Sequence, residues 1–245
     1  MTAPARRKSA AALLDHWHQA ADIRREWLEV GSSTEPSNRQ AAEAVLTRLY
    51  ARHGRGRPEF RWVASPREGL PYATAIPSHE DLHRWRQPRQ PAGRPPLAVD
   101  LAAGWSAMMA ALDDCAEYPG VKAPKKETRE WPVLPPAQAL EFGVPLRVVL
   151  RREVRDHLWT KLMQEQALPV RSQLGPPARL PICWYGRHDA SWIAHYDVLR
   201  RLGLAAYPPR HAARLDDWAL LARSTGWWWP DEHHCVMVER ATPVT

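Results

Sequence analysis

Residues 226–240 have the sequence GWWWPDEHHCVMVER, and the rest of the chain is interpreted outward from this stretch. Three consecutive indoles precede Pro230, and a short apolar run follows between acidic, imidazole, thiol and guanidinium groups. Pro230 prevents a helix from continuing, so residues 234–238 are predicted to form a short strand of a small sheet. No other stretch of this length combines so much rigid aromatic surface with so many groups able to do chemistry.

Side chains alternate between the two faces of a strand, which assigns the groups of this segment to sides. His233 and Cys235 are expected on one face and His234 on the other, with Glu232 and Glu239 bracketing the strand. The three adjacent indoles cannot all face inward on this picture. We therefore expect at least one of them to be exposed or to cover a pocket.

The favoured interpretation is an aromatic cleft with walls formed by Trp227, Trp228 and Trp229. Ligand sites are mostly apolar, with a few polar groups that orient the ligand. The groups assigned to this role are Glu232, Glu239, Arg240, His188, His233 and Ser65. In a catalytic site, Glu232 or Glu239 is the expected general acid or base, and Arg240 anchors an anion. The chain is predicted to be an enzyme or ligand-binding accessory protein for a small polar or peptidic metabolite, without a cofactor.

The same residues permit other hypotheses. Cys235 can be a nucleophile with His233 or His188 as its base, although no cysteine-protease signature surrounds it and buried cysteines are usually inert. His233 and Cys235 can bind a metal together with His188 or Cys183, but the spacing is not that of a zinc site, so no metal is predicted. In the simplest alternative, the tryptophans close the core and Glu239 pairs with Arg240.

The basic character of the chain suggests a second class of function. The net charge is +7, with 34 basic and 27 acidic residues, but only five of the basic residues are lysine. Such a bias fits the codon usage of a GC-rich genome as well as it fits a polyanion-binding surface. The alternative is nucleic-acid binding through the linker 86–97 and the arginines of a helix at 146–168, which are Arg147, Arg151, Arg152 and Arg155.

Thirteen tryptophans against two phenylalanines suggest a third class, a protein–protein scaffold that uses exposed indoles as interface anchors. Three widely spaced cysteines, at 115, 183 and 235, form no disulfide framework. No apolar run approaches the roughly 18 residues needed to cross a bilayer, and the first residues lack the pattern of a signal peptide. We expect a cytoplasmic protein that does not bind membranes.

Periodicity predicts a mainly α, α+β fold, a helical body with a small two- or three-stranded sheet. Residues 1–85 form an N-terminal helical lobe, 86–97 a Pro/Arg-rich linker or loop, and 98–245 a C-terminal helical lobe, unless the whole is one continuous domain. Ser65 precedes Pro66, and a helix cap is favoured over a position at the rim of the cleft. The predicted helices are 9–29, 38–53, 97–117, 137–142, 146–168, a helix capped by His188 or Asp189 and ended by Gly203, and 209–224. The predicted strands are 59–64, 182–185 and 234–238.

Residues 186–240 resemble a bacterial domain-of-unknown-function family. Its members share a helix of the type G-Q-x-D-A-x-W-x-A-x-Y-D and then a segment G-W-W-W-P-x-E-x-x-C-x-x-x-E-R-P. Residues 62–66 (WVASP) are similar to the family's N-terminal strand. Arg187 replaces the usual glutamine and Ala241 the usual proline, and the chain ends at Thr245 where relatives continue into a Leu-His segment. The resemblance implies kinship and carries no established activity.

Overall fold

The computed structural model describes residues 10–85, 87–119, 130–176, 180–181 and 184–240, and most of this part of the chain is helical. The predicted mainly α, α+β class is confirmed. The α-helices are α1 (Ala10–Ser32), α2 (Arg39–Arg52), α3 (Pro66–Gly69), α4 (His79–Trp85), α5 (Leu97–Asp113), α6 (Pro136–Glu141), α7 (Leu146–Arg151), α8 (Leu168–Leu174), α9 (Ala190–Arg201) and α10 (Pro209–Ser224). Short 3-10 turns follow α3, at Leu70–Tyr72, and precede α9, at Arg187–Asp189.

The predicted helix at 146–168 continues to Leu174, but it is not regular. Two stretches between α7 and α8, Arg152–Asp156 and Trp159–Ala167, have the wider π-helical hydrogen bonding. Pro169, the first residue after the predicted helix, lies in the first turn of α8, where a missing N–H is tolerated. The helix therefore continues beyond Pro169, after two stretches of π-helical hydrogen bonding.

The sheet has four strands, more than the two or three predicted. They are β1 (Glu59–Val63), β2 (Tyr185–Gly186), β3 (Trp227–Pro230) and β4 (His234–Val238), in the order β1-β4-β3-β2. β1 runs parallel to β4, whereas β3 is antiparallel to both β4 and β2. β3 is not among the predicted strands. Tryptophan favours strands, but Pro230 indicates the end of a regular element at this point of the sequence.

β2 is shorter than the predicted strand 182–185. Of that prediction, Ile182 and Cys183 lie outside the described residues, and the observed strand begins at Tyr185. Gly186 has a φ of +149° and sits against β3, where an added Cβ would lie 2.1 Å from the carbonyl oxygen of Gly226. Only glycine fits both this backbone conformation and this close approach.

The segments before and after the predicted linker share one sheet and one core. Glu59 of β1 is in register with His234 of β4, and α1 packs along α9. Trp27 of α1 donates a hydrogen bond from Nε1 to Oδ2 of Asp197 in α9, at 3.0 Å, and both residues are buried. Within the described ranges, none of the helices combines the length and the apolar character that spanning a bilayer requires.

Candidate functional site

All three indoles of the Trp227–Trp229 segment are buried, with 4%, 0% and 1% of their surfaces exposed. The expectation that at least one of them is exposed or lines a cleft is wrong. β3 is an interior strand of the sheet, so alternation sends its side chains to two faces, and both faces are covered. Three adjacent tryptophans can then all be buried.

Helices on opposite sides cover the two faces. Trp228 lies opposite Met237 and Tyr185 in the sheet, and its ring is 5.7 Å from that of Trp218 in α10. On the other face, Trp229 packs so closely on α3 that a Cβ added at Gly69 would lie 2.8 Å from its ring. Among the described residues the indole N–H groups of β3 have no hydrogen-bond acceptor, so packing alone holds these rings.

Glu232, a predicted acid or base, follows β3 and holds two elements together. Its carboxylate accepts hydrogen bonds from the backbone N–H of Leu97 (2.6 Å), at the start of α5, and from Nε of Arg55 (3.1 Å). Partial burial works to raise the pKa of Glu232, but these bonds keep it below its usual range. An ionised carboxylate at a helix N-terminus is stabilised by the exposed amides there, so Glu232 is poorly suited to donate a proton.

Glu239 and Arg240 do not pair with each other, contrary to one of the alternatives above. Glu239 forms an ion pair with Arg39 of α2, with Nη2 and Oε1 2.5 Å apart. Arg240 is buried, and its guanidinium donates to the carbonyl oxygens of Val30 and Arg223, in the last turns of α1 and α10. A cation there satisfies carbonyls that have no partner within their own helices, so Arg240 joins two helix C-termini.

His188 and Asp189 lie in the 3-10 turn before α9, and both are buried. Burial lowers the pKa of His188 to about 3, and its ring centroid lies 5.0 Å from that of Trp184. Burial raises the pKa of Asp189 to about 7, while the backbone N–H of Gly186 donates to its Oδ2 at 2.8 Å. His188 is therefore a neutral, buried imidazole that packs against Trp184 and is poorly suited to act as a base.

Cys235 is fully buried in β4, and burial raises the pKa of its thiol, which opposes formation of a thiolate nucleophile. Its sulfur lies 3.6 Å from the sulfur of Met237, and no hydrogen bond links it to an imidazole within the described ranges. His233 is exposed in the turn before β4. The described residues contain no group of three His, Cys, Asp or Glu side chains that could hold a metal ion, and Cys183 lies outside them.

Ser65 is a helix cap, as the sequence predicts. Its backbone is extended, and its Oγ accepts a hydrogen bond from the N–H of Glu68 at 3.3 Å. The carboxylate of Glu68 accepts a bond from the N–H of Ala64, the residue before the cap, at 3.1 Å, so a second bond joins the first turn of α3 to the end of β1. Ser65 contributes to α3, and α3 in turn supports Trp229.

A concavity of about 310 Å³ lies where β3 ends. Pro77, Pro95, Pro96 and Pro230 form much of its wall, and Arg94, Asp231 and Glu232 supply charged groups. Arg94 is held by hydrogen bonds to the carbonyl oxygens of Gly54 (3.2 Å) and His53. Glu232 is the one member of the predicted site that lines this space.

Asp231 and His234 were not singled out by the sequence interpretation as site residues, but they define the turn that borders the concavity. Oδ2 of Asp231 lies 3.0 Å from Nδ1 of His234, and Nε2 of the same ring lies 2.9 Å from the carbonyl oxygen of Tyr72. The hydroxyl of Tyr50 is within donating distance of the backbone oxygens of Asp231 (2.8 Å) and His234 (3.0 Å). The spacing of three residues in the turn after Pro230 was the available signal for this pair.

The basic residues are less available for nucleic acid than their number suggests. In the helix that begins at α7, Arg152 donates to the backbone oxygens of Pro132 (2.7 Å) and Trp131 (2.6 Å). In the linker, Arg94 donates to the carbonyls of Gly54 and His53 and borders the concavity. Arg151 is exposed and Arg155 half-buried, and together they form a small basic face. Arg147, one turn before Arg151, is half-buried and engaged in contacts of its own.

The site predicted from residues 226–240 is therefore a packed strand whose acidic and basic side chains join helices to the sheet, with a concavity at one end. Comparison with known proteins adds no assignment to this geometry. The chain matches no protein-family model, no curated protein and no solved structure.

Proposed function

We propose that the protein binds a small polar or peptidic ligand in the concavity at the end of β3. The observation that carries the proposal is the pairing of a proline-rich wall with opposite charges, Arg94 and Asp231, at the same concave space. Each charge is already held by other groups, Arg94 by backbone carbonyls and Asp231 by His234. Polar groups held in place before binding lose little conformational entropy when a ligand arrives.

Binding is favoured over catalysis because the candidate catalytic groups sit in unsuitable environments. Cys235 is buried with a raised pKa, and His188 is buried with a pKa of about 3. Glu232 is kept ionised by Arg55, and Glu239 is paired with Arg39. General acid–base catalysis works best with a group whose pKa lies near the working pH, and Cys235, His188 and Glu232 are all shifted away from it.

The ligand class follows from the size and charge of the space. A volume of about 310 Å³ is at the lower end of the roughly 300–1,000 Å³ that ligand sites occupy, which suits an amino acid or a dipeptide. The carboxylate of such a ligand can pair with Arg94 and its ammonium group with Asp231. Prolines provide rigid apolar contact for the remaining atoms, so a zwitterionic ligand fits the space on all three counts.

The test is a calorimetric titration of free amino acids and dipeptides against the wild-type chain and two tryptophan variants. Ala75 is exposed and lines the concavity, so Ala75→Trp fills the space without disturbing the core. Thr74→Trp adds the same ring at the exposed neighbouring position, which does not line it. We expect at least one ligand of this class to bind the wild type and Thr74→Trp, and binding to be lost in Ala75→Trp.

Two results contradict the proposal. One is the absence of saturable binding for every amino acid and dipeptide tested. The other is an affinity that is the same in Ala75→Trp as in the wild type, which places any ligand elsewhere on the chain.

A further inference from the structure

Arg155 occupies an unusual position on the irregular helix between α7 and α8. Its guanidinium carbon lies 3.2 Å from the centroid of the Trp192 ring in α9, which is a direct stack. Trp192 is met edge-on by Trp159, with centroids 6.3 Å apart and planes at 84°. All three side chains are half-buried. Arg155 and Trp159 belong to the two π-helical stretches, and this rare geometry is frequent at functional sites.

The donors of Arg155 are unused within the part of the chain that the structure describes. No hydrogen bond or ion pair joins this guanidinium to another described residue, although it is half-buried and the carboxylates of Asp113 and Asp156 act on it from a distance. Burial lowers the pKa of Arg155, and the positive charge of Arg151 lowers it further. Two guanidinium groups thus repel each other in a partly desolvated place, and neither Asp113 nor Asp156 forms an ion pair with Arg155 to offset this repulsion.

Arg151 adds a second set of available donors. It is exposed, and among the described residues it pairs with Asp156 alone, with Nε and Oδ1 3.5 Å apart, at the limit of a hydrogen bond. An arginine has five N–H donors in a planar fork. The basic face formed by Arg151 and Arg155 therefore presents most of its donors to whatever approaches.

Other buried or half-buried arginines of the chain donate hydrogen bonds to backbone oxygens. Arg55 and Arg240 are buried, and both donate to backbone oxygens of neighbouring segments. Arg152, the neighbour of Arg151, is turned to the carbonyls of Trp131 and Pro132. These three guanidinium groups thus donate to backbone oxygens, although Nε of Arg240 has no acceptor among the described residues, whereas Arg155 makes no such bond there.

We propose that the basic face of Arg151 and Arg155 binds the phosphate group of a small molecule. Planar guanidinium forks match phosphate oxygens in pairs, and the stack on Trp192 fixes the orientation of one fork before the ligand arrives. A phosphate carries close to two negative charges, so it is attracted to the paired arginines more strongly than a carboxylate is, with Asp156 already beside Arg151. This site is separate from the concavity at the end of β3 and does not depend on it.

A small ligand is favoured over a nucleic acid because the face holds one phosphate only. Binding to nucleic acid rests on many phosphate contacts in a row. Here the arginine that precedes Arg155 in the same turn, Arg152, points to backbone carbonyls, and His195 on the adjoining helix is buried and neutral, with a pKa of about 3. Neither Arg152 nor His195 therefore extends the basic face, and Arg147, one turn before Arg151, is engaged in contacts of its own.

The test is calorimetric titration of the full chain with inorganic phosphate at low ionic strength, with sodium acetate and a short single-stranded oligonucleotide as comparison ligands. Arg151→Gln removes an exposed charge and leaves the stack intact. Arg155→Lys keeps the charge but removes the planar fork and the stack. Arg67→Gln, on the exposed surface of α3, is the matched control for loss of one positive charge.

The wild type and Arg67→Gln are expected to bind one phosphate with equal affinity, and Arg151→Gln and Arg155→Lys to bind it at least about tenfold more weakly, the effect of losing a charge-assisted hydrogen bond. Circular dichroism of the folded variants separates loss of binding from loss of structure. The proposal is overturned by unsaturable phosphate binding, by acetate binding as tightly as phosphate, or by an Arg155→Lys affinity equal to that of the wild type. Oligonucleotide binding far tighter than phosphate binding, with a steep salt dependence, also overturns it and assigns the face to nucleic acid.

Discussion

The Trp227–Trp229 strand and the face of Arg151 and Arg155 both combine indoles with guanidinium groups, yet the fold uses them in opposite ways. Around the strand, Arg240 and Arg55 are buried and hydrogen-bonded, and the rings are closed in. On the helical face, Arg155 stacks on a half-buried tryptophan with its donors unused among the described residues. The types of residue present do not distinguish a structural cluster from a binding surface, whereas the partners that each donor has do.

The largest expected effect comes from opening the strand cluster. Trp228→Ala removes a fully buried ring that contacts Tyr185 and Trp218, and we expect it to lower the free energy of unfolding by about 4 kcal/mol. Trp159→Ala, at a half-buried ring of the helical face, is expected to cost much less. Denaturant unfolding followed by circular dichroism measures both. Equal losses would mean that the two regions do not differ in structural role.

The second prediction concerns the buried arginine. Arg240→Met keeps much of the side-chain volume but leaves the terminal carbonyls of α1 and α10 without their donor, and the expected loss is about 3 kcal/mol of unfolding free energy. Arg67→Met, on an exposed position of α3, is the control and should stay within about 0.5 kcal/mol of the wild type. Urea unfolding of the two variants measures both changes in free energy. A loss below about 1 kcal/mol for Arg240→Met would contradict a structural role, because it would be close to the effect of a surface substitution.

The third prediction uses pH. Burial raises the pKa of Asp189 from 3.8 to about 7, so between these values the folded chain holds a proton that the unfolded chain has lost, and Asp189 makes stability fall as pH rises. Burial lowers the pKa of His188 from 6.5 to about 3, and between these values the unfolded chain holds the extra proton, so His188 makes stability rise with pH. The two contributions oppose each other over most of this range.

Single variants should separate these contributions. Relative to the wild type, Asp189→Asn is expected to gain stability as pH rises from 4 to 7, and His188→Gln to lose stability as pH rises from 3 to 6.5. Each slope is at most about 1.4 kcal/mol per pH unit. Unfolding free energies measured across the range provide the comparison. Parallel pH profiles for the two variants would show that these side chains are not buried as described.

The smallest effect is expected at Arg155. Arg155→Met keeps the aliphatic stem, and the lost stack on Trp192 is offset by relief of burial and of repulsion from Arg151, so the unfolding free energy should change by less than about 0.5 kcal/mol. In added phosphate the wild type should gain thermal stability and the variant should not, because only a folded state that binds a ligand is stabilised by it. A large loss in plain buffer would make Arg155 a structural residue like Arg240.

Local patterns predicted the regular elements of the chain well. α10 at Pro209–Ser224 follows from a proline start and an apolar stripe, and β4 at His234–Val238 follows from alternation after Pro230. The strand β3 was missed because three tryptophans show no alternation of polarity when both sheet faces are covered. The π-helical stretches Arg152–Asp156 and Trp159–Ala167 were missed because hydrophobic spacing does not report the hydrogen-bonding pattern of a helix.

The candidate site was predicted in part. The sequence pointed to Glu232, which lines the concavity, and to Ser65 as a cap, which the structure confirms. It could not show that Arg55 pairs with Glu232, since 177 residues separate them. It also assigned the indoles to a cleft, because it did not indicate that β3 lies inside the sheet.

The sequence by itself determined the helical class, most element boundaries and the turn after Pro230. These are local properties, because hydrophobic periodicity, proline positions and capping residues act over a few neighbouring residues. Burial and pairing join residues far apart in the chain, such as Arg240 with Val30 and Trp192 with Arg155. Whether an arginine or a tryptophan is closed in or available depends on those distant neighbours. For that reason folding, and not composition, placed the indoles of β3 in the core and left the donors of Arg155 without a hydrogen-bond partner among the described residues.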